Sequence, residues 1–160
     1  MKPIQYLIFL FLTIALISCD QRKVHFKEHI SFGEEMIWKQ TDAKTFKIDV
    51  KENKHPYEMV IDFRYMTAYP YDKLLLEVLE TKPNGDKIRH DVDIPVREEN
   101  GEFIGDKGLD IIDLEFIYDS NLEFPSFGTY TYEIRQVMPE IEILPGVMEI
   151  GMILRDKETK

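Results

Sequence analysis

The sequence contains one cysteine, Cys19, so no disulfide can form within a single copy of the chain. Stability must therefore come from an apolar core, which 44% hydrophobic and 12% aromatic residues can supply. The sequence is also poor in positive charge, because 20 Lys and Arg face 30 Asp and Glu and give a formal net charge of −10. Such an acidic surface argues against binding to nucleic acid and against direct adhesion to anionic lipid.

Motifs that carry catalytic chemistry are missing as well. Ser31, Ser120 and Ser126, the three serines that follow the N-terminal segment, stand outside any Gly-x-Ser-x-Gly context. The glycine-rich stretch at residues 105–108 has the spacing of neither a phosphate-binding loop nor a dinucleotide fingerprint. We therefore predict that the protein is not an enzyme and that it uses no cofactor beyond a covalent lipid.

The lipid is predicted by the N-terminal segment. An apolar run from Tyr6 to Ile17 follows Lys2, and it is shorter than the roughly 20 residues of a membrane-spanning helix. The run ends in Leu16-Ile17-Ser18-Cys19, in which a small residue before the cysteine lets a peptidase cut there. We predict a signal peptide over residues 1–18 and a diacylglyceryl or acyl lipid, such as palmitate, on Cys19. A plain secreted protein and an uncleaved anchor are the alternatives.

Residues 19–36 are polar and of mixed charge, and we interpret them as a lipidated tether, with one mild helix candidate at Gly33–Gln40. Farther on, apolar and polar side chains alternate, as in half-buried strands. Asn84-Gly85 is the strongest hairpin signal. Leu74–Thr81 is instead nearly all apolar, as a central strand covered on both sides would be. Seven segments are predicted to be strands: Thr45–Val50, Tyr57–Tyr65, Leu74–Thr81, Lys87–Ile94, Asp110–Tyr118, Thr129–Met138 and Val147–Leu154.

These strands predict the fold class. Regularly spaced short strands with turn signals between them indicate an all-β protein, and we expect one antiparallel β-sandwich over residues 37–157. About seven or eight strands, in an immunoglobulin-like or jelly-roll-like arrangement, fit this length. Tyr130, at the entry to a late strand, matches weakly the tyrosine that ties a corner in immunoglobulin-like sandwiches. Trp38, the only tryptophan, is expected to close one end of the core.

Two groups of residues could form a ligand or partner surface. Tyr69, Pro70 and Tyr71 lie between two predicted strands, and with Tyr118 they could stack on a sugar ring or a partner protein. The alternative is a rigid turn whose tyrosines fold back onto the sandwich. Acidic residues crowd another loop, where they form a weak candidate calcium site or simply a solvated acidic loop: Glu98, Glu102 and Asp106. No other metal site is expected.

The chain resembles a known family, the gliding-motility lipoprotein GldH family, over nearly all of its length after the signal peptide. The resemblance is carried by several stretches in the same order: Leu16-Ile17-Ser18-Cys19, Trp38, Asp62-Phe63-Arg64-Tyr65, Tyr69-Pro70-Tyr71-Asp72-Lys73-Leu74, Pro83-Asn84-Gly85, Asn100-Gly101-Glu102-Phe103-Ile104-Gly105, Phe127-Gly128-Thr129-Tyr130-Thr131-Tyr132, Gln136-Val137-Met138 and Leu144-Pro145-Gly146-Val147. The chain departs from the family's pattern at Asp72-Lys73, Phe103 and Pro139.

The resemblance implies a non-enzymatic component of the gliding machinery, which is tied to type IX secretion, acting by docking on other envelope proteins. It also implies other motility or secretion proteins as partners. Cys19 is followed by Asp20-Gln21-Arg22-Lys23 and not by the acidic run expected of a surface-export signal, so we expect the lipid to hold the protein to the outer membrane on the periplasmic side. The alternative hypothesis is a carbohydrate-binding envelope lipoprotein that uses the tyrosine surface.

Overall fold

The computed structural model describes residues 22–51 and 56–157. The predicted signal peptide and Cys19 lie outside these residues. Within them there is no helix, and none of the described residues forms a helix long and apolar enough to span a membrane. Eleven strands are present: β1 Val24–Ser31, β2 Ile37–Lys39, β3 Lys44–Val50, β4 Tyr57–Met66, β5 Lys73–Thr81, β6 Lys87–Pro95, β7 Asp106–Lys107, β8 Ile111–Leu122, β9 Gly128–Gln136, β10 Ile143–Pro145 and β11 Val147–Asp156.

Two sheets form the body of the domain. One has five strands in the order β1-β11-β4-β8-β7, and the other has four in the order β3-β9-β5-β6. All of these neighbours are antiparallel. The inner faces share one core, so the predicted all-β sandwich is confirmed.

The core follows from the alternation in the sequence. Phe46, Ile48 and Val50 of β3 are buried, as are Tyr130 and Tyr132 of β9, while the residues between them are more exposed. Burying one such side chain stabilises the fold by about 1.5–3 kcal/mol. All seven predicted strands are present, with ends that differ by a few residues. β2 and β10 form a separate ladder, which pairs Trp38 with Leu144.

The predicted tether and helix need correction. Val24–Ser31 lies within the predicted tether, but it forms strand β1, which pairs with β11 at the edge of the five-stranded sheet. The β domain therefore begins at Val24 and not at residue 37. The helix candidate is instead a turn followed by β2. Trp38 is fully buried and its Nε1 donates to the carbonyl of Asp42 at 2.7 Å, so it does close part of the core.

Candidate functional site: a charged face on the five-stranded sheet

The outer side of the five-stranded sheet carries ionisable side chains that the strand register brings together. In the register of β4, Arg64 lies between Glu149 of β11 and Asp113 of β8. The neighbouring row of β4 holds Asp62, and His29 of β1 lies opposite Gly151 of β11. We call this set the charged face: His29, Asp62, Arg64, Asp113 and Glu149. With Lys27 these residues line a shallow groove of about 260 Å³.

Arg64 is the centre of the charged face. Its Nε donates to Asp113 Oδ1 at 2.6 Å, and its Nη1 donates to Glu149 Oε2 at 3.4 Å. The hydrogen bond to Asp113 is the main reason why the pKa of Arg64 is raised above its ordinary value, and the charges of Asp113, Glu149 and Asp62 add to the effect. The Arg64 side chain is nevertheless 40% exposed.

A glycine lets His29 reach across a strand. His29 Nε2 is hydrogen-bonded to Asp62 Oδ2 at 2.7 Å, although β11 lies between their strands. A Cβ atom at Gly151 would lie 2.3 Å from Cδ2 of His29 and 2.7 Å from its Nε2, closer than such atoms can approach. The imidazole ring therefore occupies the space that any other side chain at Gly151 would fill.

A second ion-pair row, more deeply buried, lies farther along the same sheet. Arg155 Nε donates to Glu58 Oε1 at 2.8 Å and Arg155 Nη1 donates to Glu115 Oε2 at 2.7 Å. Arg22 also donates to Glu58, at 2.6 Å. Burial by itself lowers the pKa of Arg155, but the hydrogen bonds to Glu58 and Glu115 outweigh it and the pKa is raised. This row ties β11, β4 and β8 together beside the charged face.

The charged face combines a His–Asp pair with an arginine and two further carboxylates. A His–Asp pair supports nucleophilic catalysis when a hydroxyl or thiol lies within hydrogen-bond reach of the imidazole. The hydrogen bond of His29 goes to Asp62, and the groove is lined by charged side chains without a serine, threonine or cysteine. Among residues 22–51 and 56–157, no three His, Cys, Asp or Glu side chains are grouped so as to hold a metal ion.

The structure corrects the prediction for Tyr69. Its ring is fully buried and makes edge contacts with Phe63, Tyr65 and Tyr71, at centroid distances of 5.4–5.7 Å. Its hydroxyl donates to the carbonyl of Lys73 at 3.2 Å, and burial raises its pKa above the ordinary value. Tyr69 is therefore a core residue at one end of the sandwich, and it cannot offer a ring face to a sugar.

The other members of that predicted surface do not form a platform with it. Pro70 is exposed, and Tyr71 is half-buried against Tyr69. Tyr118 lies elsewhere, on β8, where it makes an edge contact with His90 at 5.8 Å. Burial raises the pKa of Tyr118, and the charges of Glu80 and Asp119 raise it further. Sequence proximity and aromatic type therefore do not place these rings on one exposed surface.

The acidic loop is folded on itself. Gly101 N donates to the carbonyl of Glu98, Glu98 N donates to the carbonyl of Glu102, and the Asn100 amide donates to a carboxylate oxygen of Glu102 at 3.3 Å. Asp106 instead lies on β7, paired with Asp113. The structure does not bring Glu98, Glu102 and Asp106 together as metal ligands.

Sequence reasoning missed the charged face because its residues come from four strands. The alternation in β4 places Asp62 and Arg64 on the outer face, but only the register of β1, β8 and β11 shows what lies beside them. Gly151 is the one local signal, since an isolated glycine inside a strand pattern suggests a close approach by another group.

The fold and the charged face define the class of protein: an antiparallel β-sandwich with a cluster of ionisable side chains on the outside of one sheet. Comparison with known proteins gives the particular family. The family model described as GldH lipoprotein matches residues 24–154. The chain therefore belongs to the GldH lipoprotein family, and the resemblance noted from the sequence is confirmed.

Two relatives match almost end to end. The chain is 26% identical to the gliding motility lipoprotein GldH of Flavobacterium johnsoniae over 157 residues, 94% of this chain and 96% of that protein. It is 28% identical to a gliding motility lipoprotein GldH homolog of Christiangramia forsetii over 151 residues, 90% of each chain. Both are named as motility lipoproteins and not as enzymes. No solved structure is significantly similar to the chain.

Proposed function

We propose that this protein is a non-enzymatic, lipid-anchored component of the gliding-motility machinery associated with type IX secretion. Diacylglyceryl and acyl chains on Cys19 hold it to the outer membrane on the periplasmic side. It acts by docking on other envelope proteins of that machinery. The proposal is supported by membership of the GldH lipoprotein family and by the match of both relatives over at least 90% of this chain.

The observation that carries the docking role is the charged face. Hydrogen bonds among its side chains hold them in place, so a partner would meet a preformed pattern of charge. The side chains of the charged face would then lose little conformational entropy on binding. Arg64 is 40% exposed and Asp113 is 46% exposed, which leaves both signs of charge accessible. A mixed pattern of this kind favours a partner with the complementary arrangement and disfavours others. Planar, bidentate recognition of a partner's carboxylate by Arg64 is the expected central contact.

The anchor is tested first. The native protein is crosslinked in intact cells and recovered from membranes, beside a Cys19→Ala variant. Mass spectrometry of the N-terminal peptide reports the lipid. We expect a lipidated Cys19 and crosslinks to motility or secretion proteins, with both absent from the variant. A free, monomeric wild-type protein that crosslinks to none of them contradicts the docking role.

The docking surface is tested by a matched pair of arginine substitutions. Arg64→Ala removes the centre of the charged face. Arg89→Ala removes an arginine from β6, on the opposite sheet, where Arg89 is 66% exposed and pairs with Glu77 at 3.1 Å. We expect the identified crosslinks to be lost in the first variant and kept in the second. Equal recovery from both variants rules out the charged face as the docking surface.

A further inference from the structure

One end of the sandwich collects several chain connections, and we call it the anchor end. The strand pairs Val50 with Gly128, Tyr57 with Leu122 and Val24 with Arg155 lie there. The β5–β6 hairpin at 82–86 and the β8–β9 loop at 123–127 therefore emerge at this end. Leu109, in the β7–β8 turn, lies at the opposite end, because β8 begins there beside the last residue of β4.

The anchor end is also where the lipid attachment point joins the domain. Cys19 stands five residues before Val24, the first residue of β1. A fully extended chain covers roughly 3.3–3.6 Å per residue, so this link spans at most about 18 Å. This step rests on the proposed lipidation of Cys19. With so short a link, the anchor end stays next to the lipid headgroups.

Phe127 is the exposed aromatic residue of the anchor end. It is 66% exposed and is the last residue of the β8–β9 loop, directly before β9. Tyr130 holds the loop in place. Its hydroxyl donates to the Ser126 carbonyl at 3.1 Å and lies 3.1 Å from Ser126 Oγ. A Cβ atom at Gly128 would lie 2.9 Å from Cβ of Pro83, so the loop also touches the β5–β6 hairpin. These two contacts hold the loop in place and leave the apolar surface of Phe127 in water. A contact that buries this surface would lower the free energy.

The charges around Phe127 are mixed, whereas the chain as a whole has an acidic formal charge of −10. Lys51 has an 81% exposed side chain and lies 3.4 Å from the carboxylate of Asp49. The lysines of this end are Lys23, Lys51, Lys82, Lys87 and Lys157, and the acidic residues of the same strand ends and loops are Asp49, Asp86, Glu123 and Asp156. Lysine side chains lie along apolar surface while their ammonium groups meet headgroup phosphates. Phenylalanine with surrounding lysines is typical of a surface that rests on a membrane interface.

We propose that the anchor end is a second membrane contact, in which Phe127 inserts into the interface of the leaflet that holds the Cys19 lipid and the surrounding lysines meet headgroup phosphates. The contact fixes the orientation of the sandwich. The strands then run away from the membrane, and the charged face, on the outside of one sheet, lies roughly perpendicular to the membrane plane.

The test uses the full-length lipidated protein in vesicles of phosphatidylethanolamine and phosphatidylglycerol that contain a nitroxide-labelled lipid. Two variants, Phe127→Trp and Leu109→Trp, each place a tryptophan at an exposed position, since Leu109 is 96% exposed. The buried Trp38 is common to both and to the wild type, so its signal is subtracted. We expect several-fold stronger quenching and a blue-shifted emission for Phe127→Trp. Equal quenching in the two variants overturns the proposal.

The test separates failure of the contact from failure of the anchor. If Cys19 carries no lipid, the protein does not remain with the vesicles and its N-terminal peptide lacks the acyl mass. That result contradicts the anchor and the contact together. A lipidated protein that stays with the vesicles while Phe127→Trp remains unquenched contradicts the membrane contact alone. Circular dichroism of both variants checks that neither substitution alters the fold.

Discussion

Gly151 is the smallest residue beside the charged face, and its size decides which pair forms across β11. The His29 ring lies where a Cβ atom would be, and so His29 reaches Asp62 at 2.7 Å. Sequence reasoning identifies a glycine in a strand as unusual but cannot name the group that approaches it. The partner is set by the β1–β11 register, which pairs residues more than 100 positions apart.

Gly151→Ala is expected to expel the His29 ring and break its hydrogen bond with Asp62. A single hydrogen bond to a charged group that is partly exposed contributes about 1 kcal/mol, so the free energy of unfolding should fall by about that amount. Urea unfolding of the variant measures it. The His29→Ala variant should lose a similar amount, and the double variant should lose no more than one of the two, because both changes remove the same bond.

The control is Gly108→Ala, where a Cβ atom would meet only the Ile111 carbonyl oxygen at 3.4 Å. Its free energy of unfolding should change little. Additive losses in the Gly151→Ala, His29→Ala double variant would show that the two residues act independently, and that the ring does not fill the space above Gly151.

At the scale of the element, β9 carries two buried tyrosines, of which one has a hydrogen-bonded hydroxyl and the other does not. The Tyr130 hydroxyl bonds to Ser126, as the corner signal in the sequence predicted. The Tyr132 hydroxyl is buried and has no hydrogen-bond partner among the described residues. Burial, followed by the charge of Glu80, raises the pKa of Tyr132 above its ordinary value. A buried, unpaired hydroxyl costs free energy that a bonded one does not.

The two tyrosines therefore give opposite predictions for the same chemical change. Tyr130→Phe should lower the free energy of unfolding by about 1 kcal/mol, whereas Tyr132→Phe should leave it unchanged or raise it by a similar amount. Thermal or urea unfolding of both variants measures the difference. Equal losses in the two variants would mean that the Tyr132 hydroxyl has a partner such as an ordered water, and the prediction would be wrong.

Some strands can be predicted from the sequence pattern and others cannot. Strands with one apolar face, such as β3 and β4, are visible from alternation alone. β1 was missed because it is an edge strand, in which Phe26 and Ile30 are only partly buried and Lys27, Glu28 and His29 are polar. Charge on an edge strand prevents pairing with other chains, and it also hides the strand from pattern analysis. The buried position of Tyr69 depends on how its loop folds back, which local residues do not specify.

At the scale of the whole molecule, buried tyrosines make the fold sensitive to alkali. Burial raises the pKa of Tyr65 from 10.0 to about 12, and it raises the pKa values of Tyr69, Tyr118 and Tyr132 as well. In the unfolded chain the tyrosine hydroxyls lose their protons near the ordinary tyrosine pKa of 10.0, whereas in the folded chain they retain them at that pH. The raised pKa values therefore contribute a stabilisation of the folded state that is fully present below pH 10. This stabilisation is lost as pH rises toward 12.

We therefore expect cooperative unfolding between pH 10 and 12, together with the appearance of tyrosinate. Circular dichroism follows the strands, and near-ultraviolet absorbance follows tyrosinate, in one titration. The two transitions should coincide for the buried tyrosines. If tyrosinate forms in full near pH 10 while the strand signal remains, the tyrosines are accessible and the burial described here is wrong.

The pairing of β1 with β11 has a consequence for how the chain is made. Among the strands of residues 22–51 and 56–157, β1 is synthesised first and β11 last, and the five-stranded sheet needs both. β1 therefore has no partner in this sheet until β11 has been made. Pairing between distant segments is slow, because a long loop must close before any contact forms. The five-stranded sheet of a newly made chain is thus completed only after β11 has been made.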